Sequence, residues 1–228
     1  MGIHERKKRE KVERKALILR CTKELLLEHG IDGVSMQDIA KKAELSKGTL
    51  YLYFPSKEDL YREICEEAAS RFITYFYTQI RPGLSALEMI KLHWRCYLDM
   101  FGASYDMIII FSMKHYIAPA FPFTPFEENF KTEGADSSRS PYIFYTMIRD
   151  MIQQGIGEGT FDPLVNAGVV ARTMLSLFSY IVENVAKMPE PKRNAQIIIK
   201  EVKHSFEILL RGIAQEGIDR SLLLLPDI

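Results

Sequence analysis

Apolar positions along the chain recur at helical spacing almost throughout. Leu17, Ile18, Cys21, Leu25 and Leu26 share one face at i, i+3, i+4 intervals, which predicts a first helix from about Lys8 to His29, closed by Gly30. No run of period-two alternation bounded by hairpin turns stands out, so the fold class is all-α. Ser35 with Asp38 three residues on resembles a capping box and opens a short second helix that ends near Ala43. Val34, just before that cap, can staple onto Ile39 or Ala40. Ser46 caps a third helix running to about Tyr53, because Phe54 precedes Pro55 and is biased away from helical geometry. Ser56 and Asp59 repeat the Ser-x-x-Asp pattern and start a long fourth helix toward Ile80, broken by Pro82-Gly83. Further helices are expected at about 85–102, 105–117, 141–154, 163–187 and 191–215. The stretch APAFPFTPFEENFKTEGADSSRS between them is the least regular part of the chain.

The second and third helices, with only three residues between them, have the proportions of a helix-turn-helix. Ile39, Ala40, Ala43, Leu45, Leu50 and Phe54 are placed to pack against the first helix, and the small Ala40 and Ala43 allow close approach. With Leu50 and Phe54 inward, a 100° step per residue turns Gly48, Tyr51 and Leu52 away from the core and leaves Thr49 at the flank. A helix built only for stability avoids Gly48, which costs about 1 kcal/mol against alanine. A glycine on the outer face suits a surface that another body must approach closely. N–H groups at helix starts donate to phosphate, Thr49 and Tyr51 bring hydroxyls, and Lys47 and Lys57 bring charge. The bland reading, a small helical bundle with half-buried tyrosines, leaves these coincidences unexplained.

Charge changes the picture at one end. The 30 basic and 30 acidic residues of the 228-residue chain cancel, yet the first 23 residues hold nine Lys/Arg and three Asp/Glu. Residues 1–62 hold 14 basic and 10 acidic residues, and the remainder 16 and 20. A basic end on an acidic body suits a polyanionic partner for that end alone. Cys21, Cys65 and Cys96 form no C-x-x-C pair, which fits buried thiols in a reducing, cytoplasmic setting rather than a zinc or disulfide framework. The N-terminus has no apolar core of a signal peptide. Residues 164–186 are long enough to cross a bilayer, but Asn166, Arg172, Glu183 and Asn184 make that costly, so no membrane partner is expected. No H-E-x-x-H, Walker loop or G-x-S-x-G occurs, and the five histidines lack metal spacing, so neither an enzyme, a metal nor a cofactor is expected.

The segment GVSMQDIAKKAELSKGTLYLYFPSKEDLY resembles the N-terminal DNA-binding signature of the TetR family of transcriptional regulators, over about residues 12–62. Gly48-Thr49-Leu50-Tyr51, Tyr53-Phe54 and Lys57 carry the resemblance most specifically. It implies a homodimer placing two recognition helices in successive major grooves of a near-palindromic, double-stranded operator. The contact set it implies is Ser35, Gln37, Ser46, Lys47, Gly48, Thr49, Tyr51, Tyr53 and Lys57, with Gln37 a candidate base reader. Glu44 departs from the family, which usually has glycine in the turn; if left-handed there, it costs about 1 kcal/mol.

The expected architecture is therefore a three-helix head with a basic arm (residues 1–62) and a larger helical domain for effector binding and dimerisation (63–228), about nine helices in all. In the larger domain, aromatic and methionine side chains are dense from Trp94 to Met147. Such stripes are usually core, yet TetR-like regulators hold a ligand cavity between these helices, and a pocket lined by aromatics suits a small apolar or amphipathic effector. Trp94, Tyr97, Phe101, Phe111, His115, Tyr116 and Tyr145 are the candidate lining, with His93 a further polar handle. The alternative is control by a protein partner or no small-molecule effector. The last two long helices form the expected dimer interface, with Gly168, Ala171 and Ser176 allowing approach. Val169, Val170, Leu175, Phe178, Ile181, Val182, Ile197, Ile198, Val202, Phe206, Leu209 and Leu210 supply area; the bland alternative is that they complete a monomer core. The apolar tail SLLLLPDI is expected to fold back on the body.

Overall fold

The computed structural model describes residues 2–30, 33–101, 140–186, 188 and 194–226. Among these the chain forms eight α-helices and one short 3-10 turn: α1 (Ile3–His29), α2 (Met36–Lys42), α3 (Lys47–Tyr53), α4 (Lys57–Gln79), α5 (Ala86–Phe101), α6 (Ser140–Gly157), α7 (Ala167–Ala186), α8 (Ala195–Gly212) and the turn Arg220–Leu223. The helix expected near 105–117 and most of the irregular stretch after it lie outside the described residues.

The serine caps form as their spacing requires. Asp38 N–H donates to Ser35 Oγ at 3.2 Å, and Ser35 N–H donates back to Asp38 Oδ2 at 3.0 Å. Thr49 N–H donates to Ser46 Oγ at 3.1 Å and Asp59 N–H to Ser56 Oγ at 3.0 Å, each satisfying a donor that the helix start leaves open. A further box that the sequence reading passed over, Ser85 with Glu88, opens α5: Ser85 N–H donates to Glu88 Oε2 at 2.7 Å.

Three boundaries differ from expectation. The first helix begins at Ile3, so the basic arm is helical rather than leading into the helix at Lys8. Good helix formers and i,i+4 pairs such as Arg6–Glu10 and Arg9–Glu13 extend it without any core contact. α7 begins at Ala167 rather than about 163, because Asn166 Oδ1 accepts from Val169 N–H at 3.0 Å and caps it there. α8 begins at Ala195, capped by Asn194 Oδ1 accepting from Gln196 N–H at 2.8 Å, and ends at Gly212.

Buried side chains gather in two clusters. One joins α1, α2, α3 and the start of α4 through Ile18, Leu26, Ile39, Leu50, Phe54, Leu60, Tyr61 and Ile64. The other runs from Phe72 and Phe76 of α4 through α5, α6, α7 and α8 to Leu223 and Leu225. Among the described helices, α4 alone contributes fully buried residues to both, so it links them. Lys15–Glu63 at 2.6 Å and Lys23–Glu67 at 2.8 Å stitch α1 along it.

In the larger cluster, α7 packs between α6 and α8, and α5 packs on α4 and α6. Gly155 is required by packing: a methyl there would collide with the Phe161 ring and stand 3.2 Å from Ala86 Cβ. Antiparallel pairing of Phe161 with Ala214 ties the α6–α7 connection to the end of α8. The tail folds back as expected. Leu223 and Leu225 are buried, Trp94 Nε1–H donates to the Pro226 carbonyl at 2.9 Å, and Leu225 N–H donates to Glu207 Oε1 at 2.9 Å.

Much of the area expected for dimerisation is spent inside the chain. Val170, Ala171, Phe178, Val182, Ile198, Val202 and Leu210 are buried in the body's own core. The bland reading therefore holds for these residues: both helices are amphipathic, and their strongest apolar stripes face inward. Left outward are Val169, Tyr180 and Ile208, at 46%, 66% and 68% exposed. No helix among the described residues is long and apolar enough to cross a membrane.

Candidate nucleic-acid interface

The helix-turn-helix is built from the chain inward. Ile39, Ala40, Ala43, Leu50 and Phe54 are buried against α1, which holds α2 and α3 at a close, fixed angle. Ala43 N–H donates to the Ile39 carbonyl at 2.9 Å and Leu45 N–H to the Ala40 carbonyl at 2.8 Å, closing α2 and reversing the chain. Glu44 between them stands at φ 53°, a left-handed residue where L side chains other than Asn and Asp are strained. Its side chain is exposed, so the helix junction carries the conformational cost that the glycine-for-glutamate difference foretells.

Facing outward from this scaffold are the residues singled out in the sequence. Ser35, Gln37, Ser46, Lys47, Gly48 and Tyr51 are exposed; Thr49, Tyr53 and Lys57 are half-buried. They fall on the exposed side of α2 and α3 and at the start of α4, opposite the buried Leu50. Gly48 meets nothing that would forbid a side chain: a Cβ there would touch only Ser46 Oγ, at 3.9 Å. Its smallness therefore serves no contact among the described residues. The Ser46 and Thr49 hydroxyls are 2.8 Å apart and engage each other, so both belong to the cap of α3. Lys47 Nζ stands 6.0 Å over the Tyr51 ring and Lys57 Nζ 5.2 Å over the Tyr61 ring, which braces both cations on aromatic faces.

Two carboxylates at this surface, Asp38 and Asp59, are turned to structural use, while Glu44 and Glu58 are exposed. The Asp38 carboxyl is held below the usual range by its hydrogen bonds from the Ser35 hydroxyl and N–H. Asp59 is lowered first by the Ser56 hydroxyl and then by Arg62, whose NH1 lies 2.7 Å away. Lys42 is bound at 3.0 Å to Glu28 and 3.3 Å to Glu24, on the side toward α1. Beside the lysines and hydroxyls, one apolar side chain that the contact set leaves out also faces outward: Leu52, 82% exposed. The angular step along α3 had placed it away from the core, and its distance of one turn from Gly48 was the signal for including it.

Trp94, Tyr97 and Tyr145 are buried in the body. Trp94 stacks on Tyr97 with ring centroids 5.2 Å apart, and Tyr97 meets Phe178 edge-on at 5.5 Å. The Tyr145 hydroxyl is close to Gly168, where an added methyl would stand 2.8 Å from it. Phe111, His115 and Tyr116, and the side chain of Phe101, lie outside the described residues. His93, by contrast, is notable. Its Nε2 is sealed from solvent with no hydrogen-bond partner, and its ring lies edge-on to Phe72 and Phe76 at 5.1 and 5.5 Å. Burial alone pushes its pKa down to about 4. Cys21, Cys65 and Cys96 are free thiols, each raised chiefly by burial. No group of His, Cys, Asp and Glu among the described residues could hold a metal.

An all-helical chain with an exposed basic helix-turn-helix on a larger helical body defines a DNA-binding transcriptional regulator. Residues 18–64 match the family described as bacterial regulatory proteins, tetR family, and the chain belongs to the TetR family of transcriptional regulators. It is 23% identical over 211 residues to the uncharacterized HTH-type transcriptional regulator YfiR of Bacillus subtilis, covering 90% of this chain and 96% of that one. The fatty acid metabolism regulator protein of the same organism is 27% identical over 93 residues, 41% of this chain and 48% of that one. Among solved structures, the fatty acid degradation regulator FadR from Bacillus halodurans superposes with a TM-score of 0.60 at 20% identity, over 86% of this chain and 94% of that one. FadR of Thermus thermophilus, solved in complex with lauroyl-CoA, gives 0.59 at 15% identity, over 90% and 98%. These relatives are regulators rather than enzymes.

Proposed function

We propose that this regulator is a homodimeric, cytoplasmic repressor that binds a near-palindromic operator and is released by a small amphipathic effector. Residues 1–62 act as the DNA-binding head and 63–228 as the effector and dimer domain. The observation carrying the DNA half is the conjunction at α3: an outward glycine with no packing reason, flanked by Lys47, Tyr51 and Lys57. In this reading α3 lies in the major groove and Gln37 reads a base from α2. Ser35, Tyr51, Tyr53 and Lys57 reach backbone phosphates, which fix register rather than sequence.

Dimerisation would use the outer stripes of α7 and α8, where Val169, Tyr180 and Ile208 remain exposed, giving a four-helix arrangement. An acyl-chain compound is the first effector class to test, supported by the aromatic side chains concentrated in the body's core and by the lauroyl-CoA bound to the Thermus thermophilus neighbour. Because α4 joins both cores, a ligand that shifts its body half re-angles the heads, provided it binds one arrangement better than the other.

The experiment is fluorescence anisotropy of the full chain on duplexes from the region upstream of its own gene, with and without lauroyl-CoA. Saturable binding that weakens with salt is expected, with release by the ligand. Binding without release by any acyl compound would leave the DNA half standing and remove this effector class. A scattering mass near the 26.3 kDa of one chain would remove the dimer.

A further inference from the structure

We propose that Leu52 reads a thymine 5-methyl group and is a specificity-determining base contact of the recognition helix. The proposal rests on α3 entering the major groove and goes beyond it by naming a contact and the base it selects. Leu52 is 82% exposed, more than any other large apolar side chain described in the head, where Val12, Leu27 and Tyr51 reach 61%, 46% and 41%. The folding role of α3 is discharged by Leu50, fully buried, and by Phe54 just beyond its end. An isolated leucine left in water adds nothing to that core.

Its position is informative. Leu52 follows Gly48 by four residues, so the two lie one above the other on the same helix face. The open space above Gly48 lets backbone approach the partner, and the helical tilt of side chains inclines Leu52 toward that notch. Approach along this line brings one branched apolar group against the partner's surface.

The surroundings select the partner's chemistry. Residues 1–62 hold 14 basic and 10 acidic residues, and two of the acids beside α3, Asp38 and Asp59, are occupied by Ser35, Ser56 and Arg62. Such a field favours a polyanion. A single leucine is also too little apolar area for a protein partner, whose contacts are contiguous patches. In the major groove of duplex DNA the base edges present donors, acceptors and one apolar group, the C5-methyl of thymine. That methyl is what a lone leucine can bury there.

The test isolates the methyl. Duplexes are selected from a random library with the full-length wild-type protein, and each thymine is then replaced singly by deoxyuridine, which removes only that group. At one thymine per half-site the change should weaken wild-type binding about fourfold, the worth of one buried methyl. Leu52→Ala, whose melting temperature should match the wild type because the site is exposed, should bind thymine and uracil duplexes within about 1.5-fold of each other. The proposal is overturned if no thymine position affects the wild type, or if Leu52→Ala shows the same fourfold loss. If the wild type enriches no duplex at all, the placement of α3 in the groove is what has failed.

Discussion

Gly48→Ala separates what the helix needs from what its partner needs, because the two respond with opposite sign. Within the chain an added Cβ meets only Ser46 Oγ at 3.9 Å, an ordinary van der Waals contact. Alanine there gains helix propensity, up to about 1 kcal/mol and less in the first turn. Part of that gain comes through the narrower unfolded ensemble. For a chain of this length it raises the melting temperature by about 2–4 °C at most. Against DNA the same methyl enters a contact that glycine leaves open. Overfilling a packed site costs about 1–3 kcal/mol, which is about 5- to 150-fold in affinity for each head. Thermal melting by circular dichroism and operator anisotropy on the same preparation measure both sides. A variant that melts at or above the wild type yet binds much more weakly is expected. Unchanged affinity would refute the close approach, and a lowered melting temperature would refute the open environment assigned to Gly48.

The remaining expectations concern other parts of the molecule. Gly155→Ala forces a methyl into the Phe161 ring and should destabilise by about 1–3 kcal/mol, seen as a lower urea midpoint; an unchanged midpoint means the ring has room to move. Lys57→Ala should weaken binding to all duplexes about equally and reduce the slope of log affinity against log salt by about one, whereas a sequence-dependent loss makes Lys57 a base reader. His93 is buried neutral with its pKa lowered to about 4. The unfolded chain therefore takes up the proton first, and stability falls as pH drops from about 6.5 toward 4. The full loss is on the order of 3 kcal/mol. Denaturant midpoints of His93→Phe should be flatter than wild type between pH 6.5 and 4.5, above the range where the lowered carboxylates begin to contribute; parallel curves would rule His93 out.

Much of the head was legible because its determinants are local. A serine with a carboxylate three residues on is a local capping signal, and Ser35 with Asp38 and Ser56 with Asp59 use it, while Ser46 caps α3 with Thr49 in the acid's place. The inward Leu50 and Phe54 dictate that Gly48, Tyr51 and Leu52 turn out, since a seven-residue helix has only two sides. The left-handed Glu44 was likewise foreseeable, as three residues leave few ways to reverse between α2 and α3. Helix ends governed by single caps were less clear. Asn166 and Asn194 trim α7 and α8 by about four residues each, because apolar spacing continues past the point where the backbone finds a cap.

What the chain order alone determined is the alternation of caps, breakers and apolar faces, and with it an all-helical protein whose basic front end offers a glycine-notched helix. Those features depend on neighbours three or four residues apart. Which apolar residues of α7 and α8 face inward, the burial of His93 beside Phe72 and Phe76, the return of the tail onto Trp94 and Glu207, and the role of α4 as the one described helix buried in both cores were decided by packing. Each depends on contacts between segments far apart in sequence, where periodicity shows that a face must be covered but not by what.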